Sequence, residues 1–164
     1  MRPPARGTLV PLILTVLLAG ACRHESPAGP FQVQGHWSAS GVWAGRVVLT
    51  DDVDHAHWPS DAVDIVDVSV LGDSLSVSVR YGGGCADHAF VLLAGTAWME
   101  SYPVQLRLRV AHDAKGDPCD ALFTRELRFD LTPIRAAYRK SYQANTGAVV
   151  LHLLAAPSSP IYAF

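Results

Sequence analysis

Residues 71–81 read LGDSLSVSVRY, and this stretch decides the fold. From Ser74 onward the polarity alternates strictly. Leu75, Val77, Val79 and Tyr81 fall on one side, with Ser76, Ser78 and Arg80 on the other. A period of two is that of a β-strand with one buried face, whereas a helix would scatter these side chains round its axis. The preceding residues 62–71 (AVDIVDVSVL) alternate in the same way towards their end. Between the two runs stand Gly72 and Asp73. Glycine at the first central position supplies the positive φ of a type II′ turn, so the two runs are expected to form a tight antiparallel hairpin.

The pattern recurs downstream. Residues 103–112 (PVQLRLRVAH) set Leu106, Leu108, Val110 and His112 against Gln105, Arg107 and Arg109. Residues 122–131 (LFTRELRFDL) set Leu127, Phe129 and Leu131 against Glu126, Arg128 and Asp130. Residues 45–50, 88–93 and 147–154 are short apolar runs of the buried-strand kind, and 161–164 read as a last edge. Residues 134–142 suit a short helix or a wide turn. Seven or eight strands with turn signals between them, and no strong amphipathic helix, predict an all-β antiparallel β-sandwich over residues 36–164. A small barrel is the competing arrangement.

The front of the chain reads differently. Arg2 and Arg6 precede an apolar run at 9–19, too short for the ~20 residues of a membrane-spanning helix. The run ends in LLAGAC, which resembles a bacterial lipobox with Cys22 as the lipidated residue, although Leu18 stands one step earlier than is usual. Residues 1–21 are thus expected to be a lipoprotein signal peptide, and residues 22–35 a lipidated, Pro/Gly/Ser-rich tether. An ordinary secretory signal cut nearby is the alternative. Arg23, rather than Asp, follows the cysteine, and lipobox sorting patterns then imply the outer membrane of a bacterial cell envelope.

Removing 21 of 164 residues leaves 143, enough for one domain with its own core. The loss of two arginines leaves 11 basic against 15 acidic residues. That balance offers no electrostatic grip on nucleic acid. The membrane is met through the N-terminal lipid alone. Of three cysteines, Cys22 goes to lipid, and Cys85 and Cys119 remain for one disulfide in an oxidising compartment.

The disulfide pair frames the candidate chemistry. In YGGGCADHAF (residues 81–90), His88 shares a face with Phe90 and Leu92. A register summing to 200 would set His88 opposite His112, Phe90 opposite Val110 and Leu92 opposite Leu108, and would bring Cys85 and Cys119 to one end of the hairpin. The glycines then serve a bend into the disulfide. His88 and His112, with Asp117 from the loop HDAKGDPCD, could hold a zinc-like ion. Alternatively they cap the core and hydrogen-bond loop groups. The loop lacks the spacing of an EF-hand. A second cluster, DDVDHAHW (residues 51–58), offers His55 and His57 to a metal or Trp58 to recognition. Trp98 is the other aromatic singled out for binding.

YGGGCADHAF, ESYPVQLRLRVAHDAKGDPCDA and RELRFDLTPIR together resemble the C-terminal β-sandwich of NigD-like bacterial lipoproteins. The shared elements are a GGGC-x-x-H-x-F start, a P-V-x-L-x-L strand, an H-[DN]-x-x-x-D-x-C loop and an F-D-L-[ST]-P strand end, over residues 63–155. The resemblance implies a lipid-anchored sandwich with no established catalytic activity, and it marks Cys85, His88, His112, Asp117 and Cys119 as motif positions.

Three function classes follow. The first is a non-catalytic envelope module binding an unidentified protein or small molecule, with no cofactor. The second is a metal-binding protein or metal-dependent hydrolase built on His88, His112 and Asp117. The third is a thiol-redox protein, which the lack of C-x-x-C disfavours. No G-x-S-x-G elbow or H-E-x-x-H helix is present, so no catalytic residue is assigned.

Overall fold

The computed structural model describes residues 35–164. The expected signal segment, Cys22 and the tether up to residue 34 lie outside the described residues. Ten strands form two five-stranded sheets packed face to face. One sheet runs β1 (Gly35–Trp37), β2 (Val42–Arg46), β8 (Ala121–Asp130), β5 (Ser74–Gly83), β4 (Asp64–Leu71). The other runs β10 (Ile161–Ala163), β9 (Ala148–Leu153), β7 (Val104–Asp113), β6 (Ala89–Gly95), β3 (Val48–Thr50). This is the expected β-sandwich and not a closed barrel. Its sheets are mixed rather than wholly antiparallel, because β2 pairs β8, β3 pairs β6 and β7 pairs β9 in parallel.

The opening hairpin forms as read. Leu71 pairs Ser74, and Gly72 takes φ +56° while Asp73 stays at negative φ, as type II′ requires. Leu75, Val77, Val79, Leu127 and Phe129 from one sheet face Phe90, Leu92, Leu106, Leu108 and Leu151 from the other, all within one buried cluster. Residues 45–50, expected as one strand, are two. The chain crosses between sheets at the buried Val47, so β2 and β3 serve opposite layers.

After β8 comes α1 (Thr132–Tyr142), started by Pro133 and ended at Gln143 in the left-handed region. It buries Ile134 and sets Tyr138 and Tyr142 against Trp98. A bolt holds the far end of the sandwich: the Asp73 carboxylate accepts from Arg135 of α1, at 2.6 and 2.7 Å, and from the hydroxyl of the fully buried Tyr162 in β10.

Candidate functional site

The opposite end carries the motif residues. His112 sits on the inner face of β7, His88 immediately precedes β6, and Asp117 lies in the β7–β8 loop. The observed register pairs Phe90 with His112, so positions sum to 202, two more than expected. A shift of two keeps every side chain on its face, so the apolar pattern alone cannot distinguish the two registers. The Phe90 ring stacks flat on the His112 imidazole, with centroids 4.6 Å apart and planes 2° apart. His88 nonetheless meets His112, reaching from beyond the strand end: Nδ1 of His88 lies 2.8 Å from Nε2 of His112. The new register also brings the cysteines closer to direct pairing. Cys85 and Cys119 form a disulfide with Cα atoms 5.7 Å apart.

Asp117 organises the loops. Its Oδ2 accepts from the backbone N–H groups of Gly84 at 2.7 Å, and of Cys85 and Ala86 at 2.9 Å. Its Oδ1 accepts from the N–H of Cys119 at 2.9 Å. The carboxylate thus fills a nest of backbone amides on both sides of the disulfide. The Cys119 N–H, followed by those of Ala86, Gly84 and Cys85, holds the Asp117 carboxyl far below the usual carboxylate range against the opposing effect of burial. Oδ2 also lies 3.1 Å from Nε2 of His88, and both side chains are 1 % exposed. Gly83 leaves room for this contact, since a Cβ there would lie 2.6 Å from His88 Nε2.

The ends of this chain fix its protons. Nδ1 of His112 lies 3.0 Å from the carbonyl of Ala62, which can only accept, so His112 donates there. At the other end a carboxylate held as an anion can only accept from His88 Nε2. The contact between the rings needs one proton more. Three protons on two imidazoles leave the pair with one positive charge, balanced by Asp117. Burial first, and then the neighbouring His88, push the His112 pKa down, so a further proton is resisted.

This geometry is not that of a metal cage. Two nitrogens bound to one tetrahedral zinc at ~2.0–2.1 Å would stand ~3.3 Å apart. The rings are closer than that, and His88 turns a different nitrogen to each partner. Sγ of Cys85 and Sγ of Cys119 also lie near the Asp117 carboxylate, but these sulfurs are bonded to each other. His88, His112 and Asp117 therefore come together as the sequence predicts, but as a closed hydrogen-bonded chain rather than open ligands.

Beside this chain a cleft of about 300 Å³ opens, walled by Trp37, Tyr81 and Phe123 and rimmed by Asp87 and Arg125. It exists because β2 pairs β8 only from Glu126 onward. The inward face of β8 before that point, Phe123 and Arg125, is left uncovered by a neighbour on that side. Trp37 is fixed by its indole N–H, which donates to the His88 carbonyl at 3.0 Å. Sequence reading missed this site. The signal was present: Arg125 falls on the apolar face of β8, in phase with Leu127 and Phe129.

The tryptophans singled out for binding both pack against neighbouring elements. Trp58 is half-buried and, with Val53, covers the outer-face residues Val91, Leu93 and Ala111. Its loop is pinned by Arg107 on Asp54, at 2.7 Å, and by Arg109 on the carbonyls of Val53 and Pro59. Trp98 is wedged against Tyr138 and Tyr142 and donates to Ser141. His55 and His57 lie exposed on the pinned loop, ring against ring.

The molecule is thus a two-layer β-sandwich whose disulfide loops are tied to a buried His–His–Asp chain. No family model and no curated protein matches this sequence. Solved structures match the fold. A NigD-like immunity protein of Bacteroides caccae superposes with a TM-score of 0.50 at 15% identity, over 68% of this chain and 53% of that one. A candidate lipoprotein of Bacteroides fragilis gives 0.46 at 11% identity, over 74% and 69%. A protein of unknown function from Bacteroides vulgatus gives 0.44 at 13%, over 74% and 56%. The fold is NigD-like, and the chain spans about half the length of the B. caccae protein.

Proposed function

We propose that this chain is a lipid-anchored envelope protein whose sandwich is a non-catalytic binding module, with the aromatic cleft as its binding site. One observation carries the reading. The groups at this end suited to acid–base or metal chemistry, His88, His112 and Asp117, are buried and saturated by one another and by backbone groups, while the adjoining cleft presents aromatic walls and charged side chains outside any ion pair among the described residues. The anchor rests on the lipobox-like ending at Cys22, and Arg23 favours the outer membrane. A binding role also accords with the word immunity in the name of the B. caccae neighbour.

Two experiments test this. Cys22→Ala should move the protein from the membrane fraction to the soluble one; unchanged fractionation would remove the lipid anchor. A photo-crosslinker at exposed Ala86, beside the cleft, should give a discrete adduct in envelope preparations. The same group at exposed Leu71, at the far end, should not. Equal labelling at both positions, or none, would count against the cleft.

A further inference from the structure

The cleft carries an available hydrogen-bond donor. Tyr81 is 8 % exposed and lines the cleft, yet its hydroxyl makes no hydrogen bond within the described protein. The hydroxyl is not itself fully buried, so it is open to the cleft and available to a ligand. Burial raises the Tyr81 pKa, so the group stays protonated and can donate. Arg125 also lines the cleft, its guanidinium 4.8 Å from the centroid of the Phe123 ring. No carboxylate pairs with it among the described residues. Two donors, one of them cationic, therefore border a cavity walled by Trp37 and Phe123. On the rim Asp87 has no cationic partner among the described residues and offers the complementary charge.

We propose that the cleft binds an aromatic residue bearing a free α-carboxylate, as a free amino acid or as the C-terminal residue of a peptide. The ring stacks between Trp37 and Phe123, where offset or edge-on contacts add to simple burial. The carboxylate takes Arg125 and the Tyr81 hydroxyl, a charge-assisted arrangement. The nitrogen of the same residue, ammonium or amide, faces Asp87. About 300 Å³ is at the low end for ligand pockets and suits one residue rather than an extended chain. The walls are set in advance by the disulfide, the Asp117 nest and the Trp37–His88 hydrogen bond, so little ordering accompanies binding. This assignment rests on the reading of the cleft as the binding site, and it names the ligand's chemistry.

The test is a titration of the isotope-labelled full chain, following the Trp37 indole N–H. The probes are N-acetyl-L-phenylalanine, its amide, L-phenylalanine and N-acetyl-L-leucine. The acetylated acid should give a saturable shift, with the amide and the leucine analogue each at least tenfold weaker. Arg125→Gln, at an exposed position, should abolish the preference for acid over amide. Tyr81→Phe should weaken the acid about tenfold or more, the loss of one hydrogen bond to a charged group. Tighter binding of free L-phenylalanine, lost in Asp87→Asn, would assign the free amino acid. Equal or tighter binding of the acetylated acid would assign a peptide C-terminus. Acid and amide binding alike, or an Arg125→Gln chain that still discriminates, would overturn the ligand class and leave the cleft as a site. No shift with any of the four overturns the proposal too, and the Ala86 crosslink then decides whether the cleft itself survives as a binding site.

Discussion

The chain carries two histidine pairs with opposite surroundings. His55 and His57 are exposed on a loop beside acidic residues, ring against ring, with their Nδ1 atoms hydrogen-bonded to one another and their Nε2 atoms free of partners among the described residues. His88 and His112 are 3 % and 1 % exposed and joined through one nitrogen each, with their other nitrogens on Asp117 and the Ala62 carbonyl. In sequence the two pairs looked alike: histidines beside aspartates and aromatics. Their difference shows that ligand-type residues are chemically available only where the fold leaves their lone pairs unused. At the buried end the fold has closed the circuit, and the proposed binding surface is the cleft alongside.

The contrast can be broken from its strong side first. Asp117→Asn keeps the shape but turns an amide N–H₂ towards backbone donors and removes the charge opposite the histidine pair. It should cause the largest loss of the set, seen as loss of a cooperative melt at 37 °C. Replacing Cys85 and Cys119 together by Ala should cost about 3–4 kcal/mol in denaturant unfolding, from a closed loop with a sequence separation of 34. A loss below about 1 kcal/mol would mean that Asp117 alone holds the loops. His88→Leu leaves His112 Nε2 without its donor and should cost about 1–3 kcal/mol. His55→Ala with His57→Ala should change stability by less than about 0.5 kcal/mol, as surface substitutions do. A larger effect would mean that the exposed pair helps to hold the pinned loop.

Acidity sharpens the same contrast. Below about pH 6.5 an unfolded histidine binds a proton that folded His112, with its depressed pKa, refuses. The part of the stability that depends on His112 should therefore be full above that pH and fall as pH drops towards the folded value. Asp117 adds a second window, beginning near pH 4 where unfolded carboxylates protonate and continuing downward. Melting temperature against pH checks both. His112→Gln should flatten the upper window and leave the lower one.

Much of this was legible in residues. The LGDS turn, the inward faces of β5, β7 and β8 and the Cys85–Cys119 pairing follow from periodicity, turn chemistry and cysteine counting. The register did not, because sums of 200 and 202 give identical faces; the stacking of Phe90 on His112 distinguishes them. The parallel pairings and the sheet switch at Val47 were hidden because a strand has the same period whichever way its neighbour runs. The closed His–His–Asp chain needed the Ala62 carbonyl, fifty positions from His112, as its terminal acceptor. Trp58 and Trp98 read as surface aromatics because nothing local shows that a loop covers Val91 or that α1 folds back.

The most direct test of the account is the protonation of the four ring nitrogens of His88 and His112, read by long-range ¹H–¹⁵N correlation on the full chain near neutral pH, with added zinc and then with chelator. The account predicts both nitrogens of His88 protonated, His112 protonated at Nδ1 and bare at Nε2, and no change with zinc or chelator. An unprotonated His88 nitrogen facing Asp117, or shifts that follow zinc, would contradict the closed chain and restore the metal centre.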